Sequence, residues 1–349
     1  MTQLDLFADL DTPTEPPRPP NTPIPATFTK ATPTPTPMAT VRKLRPRLPG
    51  NPHGKAQQIG EAVAAVWHKQ HGGTSIEVPI GIVAALTLIR IKDPEGPSLI
   101  GQILGQTDAE LIEMYQQIWA GHWKQRPGLI ERARILHEWL NDGPHEKHRL
   151  DLTRAVTRTA LQAGILDLTG HEDPFFRSAA DVLSPTMTAL RSLGAQQGLG
   201  EYHTPPAVAD CMGEAMVAEI SVAVQADSYA KLRPGEHVHD PACGSGGMLR
   251  AAVQAVRERG IEPSSLRWSG VDIDPIAAAC TAVNFIVWDL GPHSTVACAD
   301  ALARPNAVEE AMAEARAVFQ HRDRMLSQVA MIRGIRQAHD YLNRAVAAA

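Results

Sequence analysis

The sequence lacks the features of a membrane-inserted or exported protein. No apolar run approaches the roughly 20 residues that a membrane-spanning helix needs, and the first residues, MTQLDLFADLD, contain neither a basic region nor a hydrophobic stretch. The four cysteines show no CxxC spacing, which argues against both a structural zinc site and a disulfide framework. They are Cys211, Cys243, Cys280 and Cys298. We therefore expect a soluble, cytoplasmic protein with reduced thiols, no bound metal and no membrane association.

The sequence also lacks an excess of positive charge. Its formal net charge is -5, so the protein as a whole does not attract a polyanion. A domain with a local basic face could still bind one. The charge therefore weakens the case for nucleic-acid binding without excluding it.

The 349 residues, 44% of them hydrophobic, are enough for one or two globular domains. The first part is dense in Pro and Thr and cannot form a packed core, so we predict a disordered tail over residues 1–52. Apolar residues at helical spacing predict an α-helical domain over residues 53–195. Short apolar strands alternate with helices over residues 196–305, and a helical segment follows over residues 306–349.

Aromatic and histidine side chains offer weaker candidates. Four tryptophans lie in the predicted helical domain: Trp67, Trp119, Trp123 and Trp139. They could stack on bases, but aromatic residues at helical spacing favour core packing. Two histidine pairs each share one side of an element: His145 and His148 on a helix, and His237 and His239 on a strand. Since neither pair has further ligands at suitable spacing, we assign no metal site.

The strongest candidate is a glycine-rich turn between a strand and a helix. The segment EHVHDPACGSGGMLRAAVQAVRERG predicts a strand from His237 to His239, a turn from Asp240 to Gly247, and an amphipathic helix that begins near Met248. Glycines in the turn allow a ligand to approach the backbone closely, at the carboxyl end of a strand and the amino end of a helix. The sequence therefore predicts a ligand site here.

Two later strands also end in acidic residues. The segment LRWSGVDIDPIAAACTAVNFIVWDLG predicts a strand that ends at Asp272 or Asp274, followed by a helix, and STVACADAL predicts a strand that ends at Asp300. Together with the strand before Asp240, they make the first half of a doubly wound sheet with converging carboxylates. The turn lacks GxGxxG and a P-loop lysine, so a ligand with a ribose and a cationic sulfonium is favoured over a pyrophosphate.

These residues resemble a known family. The string DPACGSGGML closely resembles the cofactor-binding motif of N6-adenine DNA methyltransferases, especially the modification subunit of type I restriction systems. Upstream, GLGEYHTPPAVADCM resembles that family's GQYFTP element, although His203 stands where the family usually has an aromatic residue. The elements follow the family's order over roughly residues 180–305.

The resemblance implies an S-adenosylmethionine site and DNA as a partner. It implies that the YHTPP element closes over the methionine end of the cofactor, that Asp272 binds the ribose, and that Asp300 lies near the adenine. The full set of implied cofactor-binding residues is Tyr202, Thr204, Pro205, Asp240, Pro241, Ala242, Gly244, Gly246, Asp272 and Asp300. The implied fold class is α/β, a partial doubly wound, Rossmann-like methyltransferase sheet with an N-terminal α-helical domain and a C-terminal helix.

The resemblance stops before the family's catalytic motif. Family members have a fourth strand that ends in NPPY or NPPF and holds the flipped adenine. After Asp300 the sequence continues as a helical pattern, with no apolar strand followed by NPP. The nearest fragment, Arg304-Pro305-Asn306, predicts a turn and a helix start. We therefore expect the chain to be truncated before the catalytic motif, and we assign no catalytic residue.

The final helix carries an apolar stripe. Its members are Val318, Met325, Val329 and Ile332. This spacing favours packing on the sheet over packing on a partner.

Three functional hypotheses remain open. In the first, the chain methylates adenine in DNA once a specificity or catalytic partner protein supplies the acceptor pocket. In the second, it is a non-catalytic accessory protein that retains the cofactor fold. The third, a small-molecule methyltransferase, fits the glycine-rich turn but not the YHTPP element.

Overall fold

The computed structural model describes residues 48–93, 96–191, 204–222 and 234–347. From Leu48 onward the chain forms one compact unit. The predicted Pro/Thr-rich tail, apart from its last residues, lies outside the described residues, as does Tyr202.

Helices and short 3₁₀ turns build the region before the sheet. Its α-helices are α1 (Pro52–Lys69), α2 (Glu77–Thr87), α3 (Leu99–Leu104), α4 (Asp108–Gln125), α5 (Pro127–Arg132), α6 (Lys147–Gln162), α7 (Ile165–Thr169), α8 (Pro174–Arg177) and α9 (Leu183–Leu190). Two 3₁₀ turns, Arg134–Leu136 and Glu138–Asn141, connect α5 to α6. The prediction of a helical region is confirmed.

Local sequence accounts for where these helices start and which ones are central. The Asn51 side chain accepts a hydrogen bond from the Gly54 amide and caps α1. Thr107 and Glu110 form a reciprocal capping box at the start of α4. Every residue of α2 from Val78 to Thr87 is buried, because a helix that is apolar on all sides has no face to turn to solvent.

The tryptophans of this region serve packing, as predicted. Trp67, Trp119 and Trp139 are buried in the core, and Trp123 is partly buried against it. The rings of Trp67, Trp119 and Trp139 are therefore not available for stacking on bases.

The second half of the chain contains a parallel sheet. Its strands are β1 (His237–Asp240), β2 (Arg267–Asp272) and β3 (Ser294–Cys298), in the order β1-β2-β3. The helices of this half are α10 (Pro206–Val222), α11 (Gly247–Glu258), α12 (Pro275–Val287) and α13 (Ala307–Ala347). Strand–helix alternation with parallel pairing confirms the predicted α/β class.

Strands β2 and β3 are packed on both faces of the sheet, whereas His237 and His239 of β1 are exposed. Trp268 and Val296 point to one face and join the main core with α12. Val271 and Ala297 point to the other face, where they pack against Ala307 of α13 in a smaller cluster. Because side chains alternate along a strand, α12 and α13 lie on opposite faces, as in a doubly wound sheet.

The main core runs without interruption from the helical region into the sheet. Arg177 of α8 donates to the carbonyl of Val287 at the end of α12 over 2.6 Å, and the Arg257 guanidinium of α11 donates to the Ser178 hydroxyl over 2.9 Å. The domain boundaries remain predictions. The two hydrogen bonds just described connect residues on either side of the predicted boundary near residue 195.

Element ends differ from the predictions by a few residues. Strand β3 ends at Cys298, two residues before the predicted end at Asp300, because the Asp300 carboxylate accepts hydrogen bonds from the Leu302 and Ala303 amides and turns the chain. The residues from Arg304 to Asn306 lie in the turn before α13. Their prediction as a turn and helix start is confirmed.

The packing of α13 departs from the prediction. Val318 is partly buried, but Met325, Val329 and Ile332 are 44%, 43% and 49% exposed. Every described side chain from Asp323 to the end of α13 is exposed. The interpretation of these three residues as packed on the sheet is wrong, because the helix continues beyond the surface on which its first part packs.

No helix within the described ranges combines the length and the apolar character needed to cross a bilayer.

Candidate functional site

The glycine-rich turn lies at the carboxyl end of β1 and leads directly into α11. Gly244 and Gly246 have φ angles of 54° and 94°, in the left-handed region that favours glycine. A Cβ on Gly246 would also approach the Trp288 ring to 3.3 Å. The turn therefore requires glycine at 246 for both its conformation and its fit on the core.

Backbone and carboxylate contacts bring the turn against β2. The Gly244 amide donates to Asp272 Oδ2 over 2.7 Å, and the Cys243 amide donates to the Val271 carbonyl over 2.9 Å. The other Asp272 oxygen accepts from the Asp274 amide over 2.9 Å. The predicted site residues Gly244 and Asp272 are thus in direct contact.

The site is electrostatically negative. Asp240 accepts a hydrogen bond from the Ala242 amide over 3.0 Å. Burial raises the pKa of the Asp240 carboxyl above its ordinary value, with a smaller contribution in the same direction from the nearby Asp272 charge, whereas the Ala242 hydrogen bond opposes the shift. A cation bound between Asp240 and Asp272 would stabilise their charged forms and so oppose this rise in pKa.

Beneath the turn, α12 supplies two polar side chains. The Thr281 hydroxyl donates to the Gly244 carbonyl over 2.7 Å, and the Asn284 amide donates to the Ser245 carbonyl over 2.8 Å. Both side chains are buried. Sequence reasoning did not select these two residues. The signal was that two polar residues lie three positions apart in an otherwise apolar helix, which indicates hydrogen-bond partners inside the protein.

A third support comes from the helical region. Asp181, in the loop before α9, accepts a hydrogen bond from the Ser245 hydroxyl over 2.6 Å and another from the Asn284 amide over 3.0 Å. Sequence reasoning missed this residue as well. The glycine-rich turn is therefore held by β2, α12 and the helical region together.

Cys243 packs within the turn. Its thiol lies 3.5 Å from the Thr281 hydroxyl, and a Cβ on Gly270 would come within 2.8 Å of its sulfur. Burial raises the pKa of the Cys243 thiol well above its ordinary value. A thiol of this kind is a poor nucleophile, as expected for a packing role.

The YHTPP element is only partly described. Thr204 and Pro205 are exposed and lie directly before α10. Helix α10 packs closely on α11, where a Cβ on Gly213 would approach the backbone of Ala251 to 2.7 Å. The Arg250 guanidinium of α11 also pairs with Asp210 of α10.

The open side of the turn has room for a ligand. A Cβ on Gly244 or on Gly247 would meet nothing within 4 Å. Ile273, between the two acidic residues after β2, is 63% exposed, and Leu302, in the turn after β3, is 97% exposed. Sequence reasoning did not select these two apolar residues, which follow strand ends at the edge where the glycine-rich turn lies.

Asp300 follows β3 and is exposed. Its carboxylate is engaged with the amides of the turn that it begins. Pro241 and Ala242 are exposed in the glycine-rich turn.

The histidine pair on β1 does share one side, as predicted. His237 Nε2 and His239 Nδ1 each lie 2.7 Å from the Ser269 hydroxyl. Among the residues that the structure describes, there is no cluster of three or more side chains that could hold a metal.

A cavity of about 320 Å³ lies elsewhere, between α5, the amino end of β3 and α13. Arg126, Arg132 and Phe319 are among its lining residues. Arg132 donates to the Val296 carbonyl and to Glu314. Because the cavity opens near the start of β3, it is separate from the glycine-rich turn.

A family model matches the part of the chain that contains the glycine-rich turn. Residues 188–318 match the family model described as N-6 DNA Methylase. A segment of 53 residues is 40% identical to the type I restriction enzyme MjaIX methylase subunit of Methanocaldococcus jannaschii, covering 15% of this chain and 10% of that protein.

A solved structure gives a weaker match. The type I restriction-modification system methyltransferase subunit from Streptococcus thermophilus has a TM-score of 0.33 and 14% identity, over 71% of this chain and 59% of that one. The chain therefore aligns with only part of the length of either relative.

Proposed function

We propose that the glycine-rich turn binds S-adenosylmethionine and that the chain is the cofactor-binding part of an N6-adenine DNA methyltransferase, because residues 188–318 match the family model described as N-6 DNA Methylase. The observation that carries the proposal is the contact between the Gly244 amide and the Asp272 carboxylate. It joins the ends of two neighbouring parallel strands, the place where open α/β sheets bind ligands.

The residues at this edge suit the cofactor. Each Asp272 oxygen accepts one backbone amide, and a carboxylate has about four acceptor positions, so acceptor capacity remains for ribose hydroxyls. Asp240 supplies further negative charge beside a cationic sulfonium, and the exposed Ile273 offers an apolar contact for the adenine. Thr204, Pro205 and Tyr202 would cover the methionine end, and Asp300 would approach the adenine amino group.

When bound, S-adenosylmethionine supplies the methyl group. The chain's own residues would hold and orient it: the glycines would allow close backbone approach, Asp272 would bind hydroxyl groups, and Asp240 would favour the cationic group. The turn after β3 and helix α13 contain no NPPY or NPPF, so this segment does not supply the acceptor pocket for a flipped adenine in DNA. We propose that a partner protein supplies it.

A second candidate function lacks methyl transfer. In it, the chain binds the cofactor as a non-catalytic accessory protein associated with DNA. Helix α13, which follows β3 where the family has further strands, supports this alternative. The two candidates share the cofactor site and differ in methyl transfer.

Isothermal titration of the purified protein with S-adenosylmethionine and S-adenosylhomocysteine tests the shared site. We expect Asp272→Ala to weaken binding at least about tenfold, since it removes a charged hydrogen-bond acceptor. Asp323→Ala, the same substitution on the exposed part of α13, serves as the matched control and should bind like the wild type. Equal binding by the Asp272 variant would refute the assigned site.

The same samples then separate the two candidates. Transfer of a radiolabelled methyl group to unmethylated DNA is measured with the protein alone and with candidate partner proteins. Transfer that requires a partner supports the methyltransferase. Cofactor binding without transfer under any of these conditions supports the accessory function, and transfer by the protein alone would contradict the assignment of the acceptor pocket to a partner.

A further inference from the structure

We infer that Asp181 is a positioning residue for the cofactor-binding turn, through which the helical region controls the affinity of the site. This inference rests on the proposed function. It concerns a residue that does not face the ligand and that lies outside the sequence motifs of the site.

The Asp181 carboxylate joins three parts of the fold. One oxygen accepts the amides of Leu183 and Ser184 at the start of α9, at 2.9 and 3.2 Å, and also the Asn284 side chain of α12 at 3.0 Å. The other oxygen accepts the Ser245 hydroxyl at 2.6 Å. A single side chain therefore fixes a helix start, the central helix behind the turn, and the turn itself.

Burial makes these contacts consequential. Asp181 is 8% exposed and Ser245 is 3% exposed. A hydrogen bond from a hydroxyl to a buried carboxylate is shorter and stronger than one between neutral groups, and an unpaired buried carboxylate is costly. The Ser245 hydroxyl is thus directed into the protein by a strong partner.

The position of Ser245 in the turn explains how the effect reaches the ligand site. Ser245 lies between Gly244 and Gly246, both in left-handed conformations. Its carbonyl is held by Asn284, which Asp181 holds in turn. Since glycine-flanked backbone has many alternative conformations, fixing Ser245 from behind selects the one in which the Gly244 amide meets Asp272.

The contact also implies a reciprocal effect. If α9 and Asp181 order the turn, a ligand that requires the ordered turn must stabilise the contact between them. Bound ligand should therefore slow amide hydrogen exchange at the start of α9, although α9 lies behind the turn and not on the side where the ligand would bind.

Ser245→Ala and Asp181→Asn test the inference, with S-adenosylhomocysteine as the probe. Ser245→Ala removes one hydrogen bond and adds no bulk, and Asp181→Asn keeps the shape but loses the charge. We expect each to weaken binding about tenfold while the protein remains folded. The double variant should lose less than the product of the two single effects, because both substitutions weaken the same contact between Asp181 and Ser245.

The control is Tyr115→Phe, which removes a buried hydrogen bond of 2.7 Å to Thr157 inside the helical region and touches nothing in the turn. It should lower the melting temperature and leave the affinity unchanged. A second readout is amide hydrogen exchange of residues 183–190. The ligand should slow this exchange in the wild type and to a smaller extent in Ser245→Ala.

The outcomes are distinguishable. If the folded wild type does not bind S-adenosylmethionine or S-adenosylhomocysteine, the proposed function fails. If the wild type binds, and Ser245→Ala and Asp181→Asn both bind within twofold of it, the positioning role of Asp181 is overturned and the proposed cofactor site stands. An equal loss of affinity in Tyr115→Phe would likewise overturn it, because general destabilisation would then account for the effect.

Discussion

The imidazole of His122 is partly buried inside the helical region, with its Nδ1 atom shielded from solvent. Its Nε2 atom lies 3.3 Å from the Leu88 carbonyl. Burial, reinforced by the nearby Arg90 guanidinium, lowers the pKa of His122 from 6.5 to about 4. Arg90 is partly buried and donates to the carbonyls of Thr87 and Ile89. His122 is therefore neutral in the folded protein at neutral pH.

This burial predicts a loss of stability in mild acid. Between pH 6.5 and about 4 the unfolded chain binds a proton at His122 that the folded protein does not, so stability falls as the pH is lowered through this window. At pH 5 the free energy of unfolding should be about 2 kcal/mol lower than at neutral pH. Urea unfolding at pH 7.5 and pH 5 measures it, and His122→Gln should lose less stability than the wild type.

A matched control separates this histidine from the other titrating groups. His68 is exposed on α1, so His68→Gln should retain the full pH dependence of the wild type. If the His122 variant and the His68 variant show the same pH dependence, the imidazole of His122 is not the group responsible.

At the scale of elements, helix α10 depends on a glycine. Gly213 lies where α10 meets α11, and a Cβ there would come within 2.7 Å of the Ala251 carbonyl carbon and 2.8 Å of its Cβ. The two backbones approach closely because this position has no side chain. Helix α10 follows Thr204 and Pro205 directly, so its distance from α11 also sets the position of these two residues.

We predict opposite effects for two glycine-to-alanine substitutions. In an exposed helix interior, Gly→Ala normally stabilises by about 0.5–1 kcal/mol, which we expect at Gly334 of α13, where a Cβ would meet nothing within 4 Å. At Gly213 the clash should reverse the sign and destabilise by about 1–3 kcal/mol. Thermal unfolding of both variants measures this, and a stabilised Gly213→Ala protein would show that α10 does not pack as described.

The sequence was sufficient to predict the elements around the site. Glycine spacing, strand-length apolar runs and terminal aspartates are local signals, and they predicted β1, β2 and the turn before α11. They could not identify Asp181, because it reaches Ser245 across 64 positions and Asn284 across 103. Contacts of this separation leave no periodicity in the sequence.

Helix α13 shows that the periodicity of apolar residues does not by itself predict burial. The stripe of Met325, Val329 and Ile332 shares a face, as its spacing indicates, but periodicity does not tell whether anything covers that face. In the structure the first part of the stripe packs on the molecule and these residues are exposed. By contrast, Ala311 near the start of α13 is only 5% exposed.

At the scale of the whole molecule, one core links the helical region to the sheet. Ile59 of α1 and Val283 of α12 are both fully buried and belong to the same cluster. Charged contacts follow the same route, since the Arg177 guanidinium donates to the Val287 carbonyl. A shared core couples the folding of both regions, because neither can expose its side of the core without cost.

We therefore predict a single cooperative unfolding transition for the described part of the chain, in which the helical region and the sheet melt together. Ile59→Val and Val283→Ala should each lower the same melting temperature, by an amount that corresponds to about 1 kcal/mol per methylene removed. Circular dichroism, which follows the helices of both regions, and tryptophan fluorescence, to which the six tryptophans of both regions contribute, should give coincident curves in each variant. Two transitions, with Ile59→Val moving only one and Val283→Ala only the other, would show that the helical region and the sheet are separate domains, and that the polar contacts between them add little to stability.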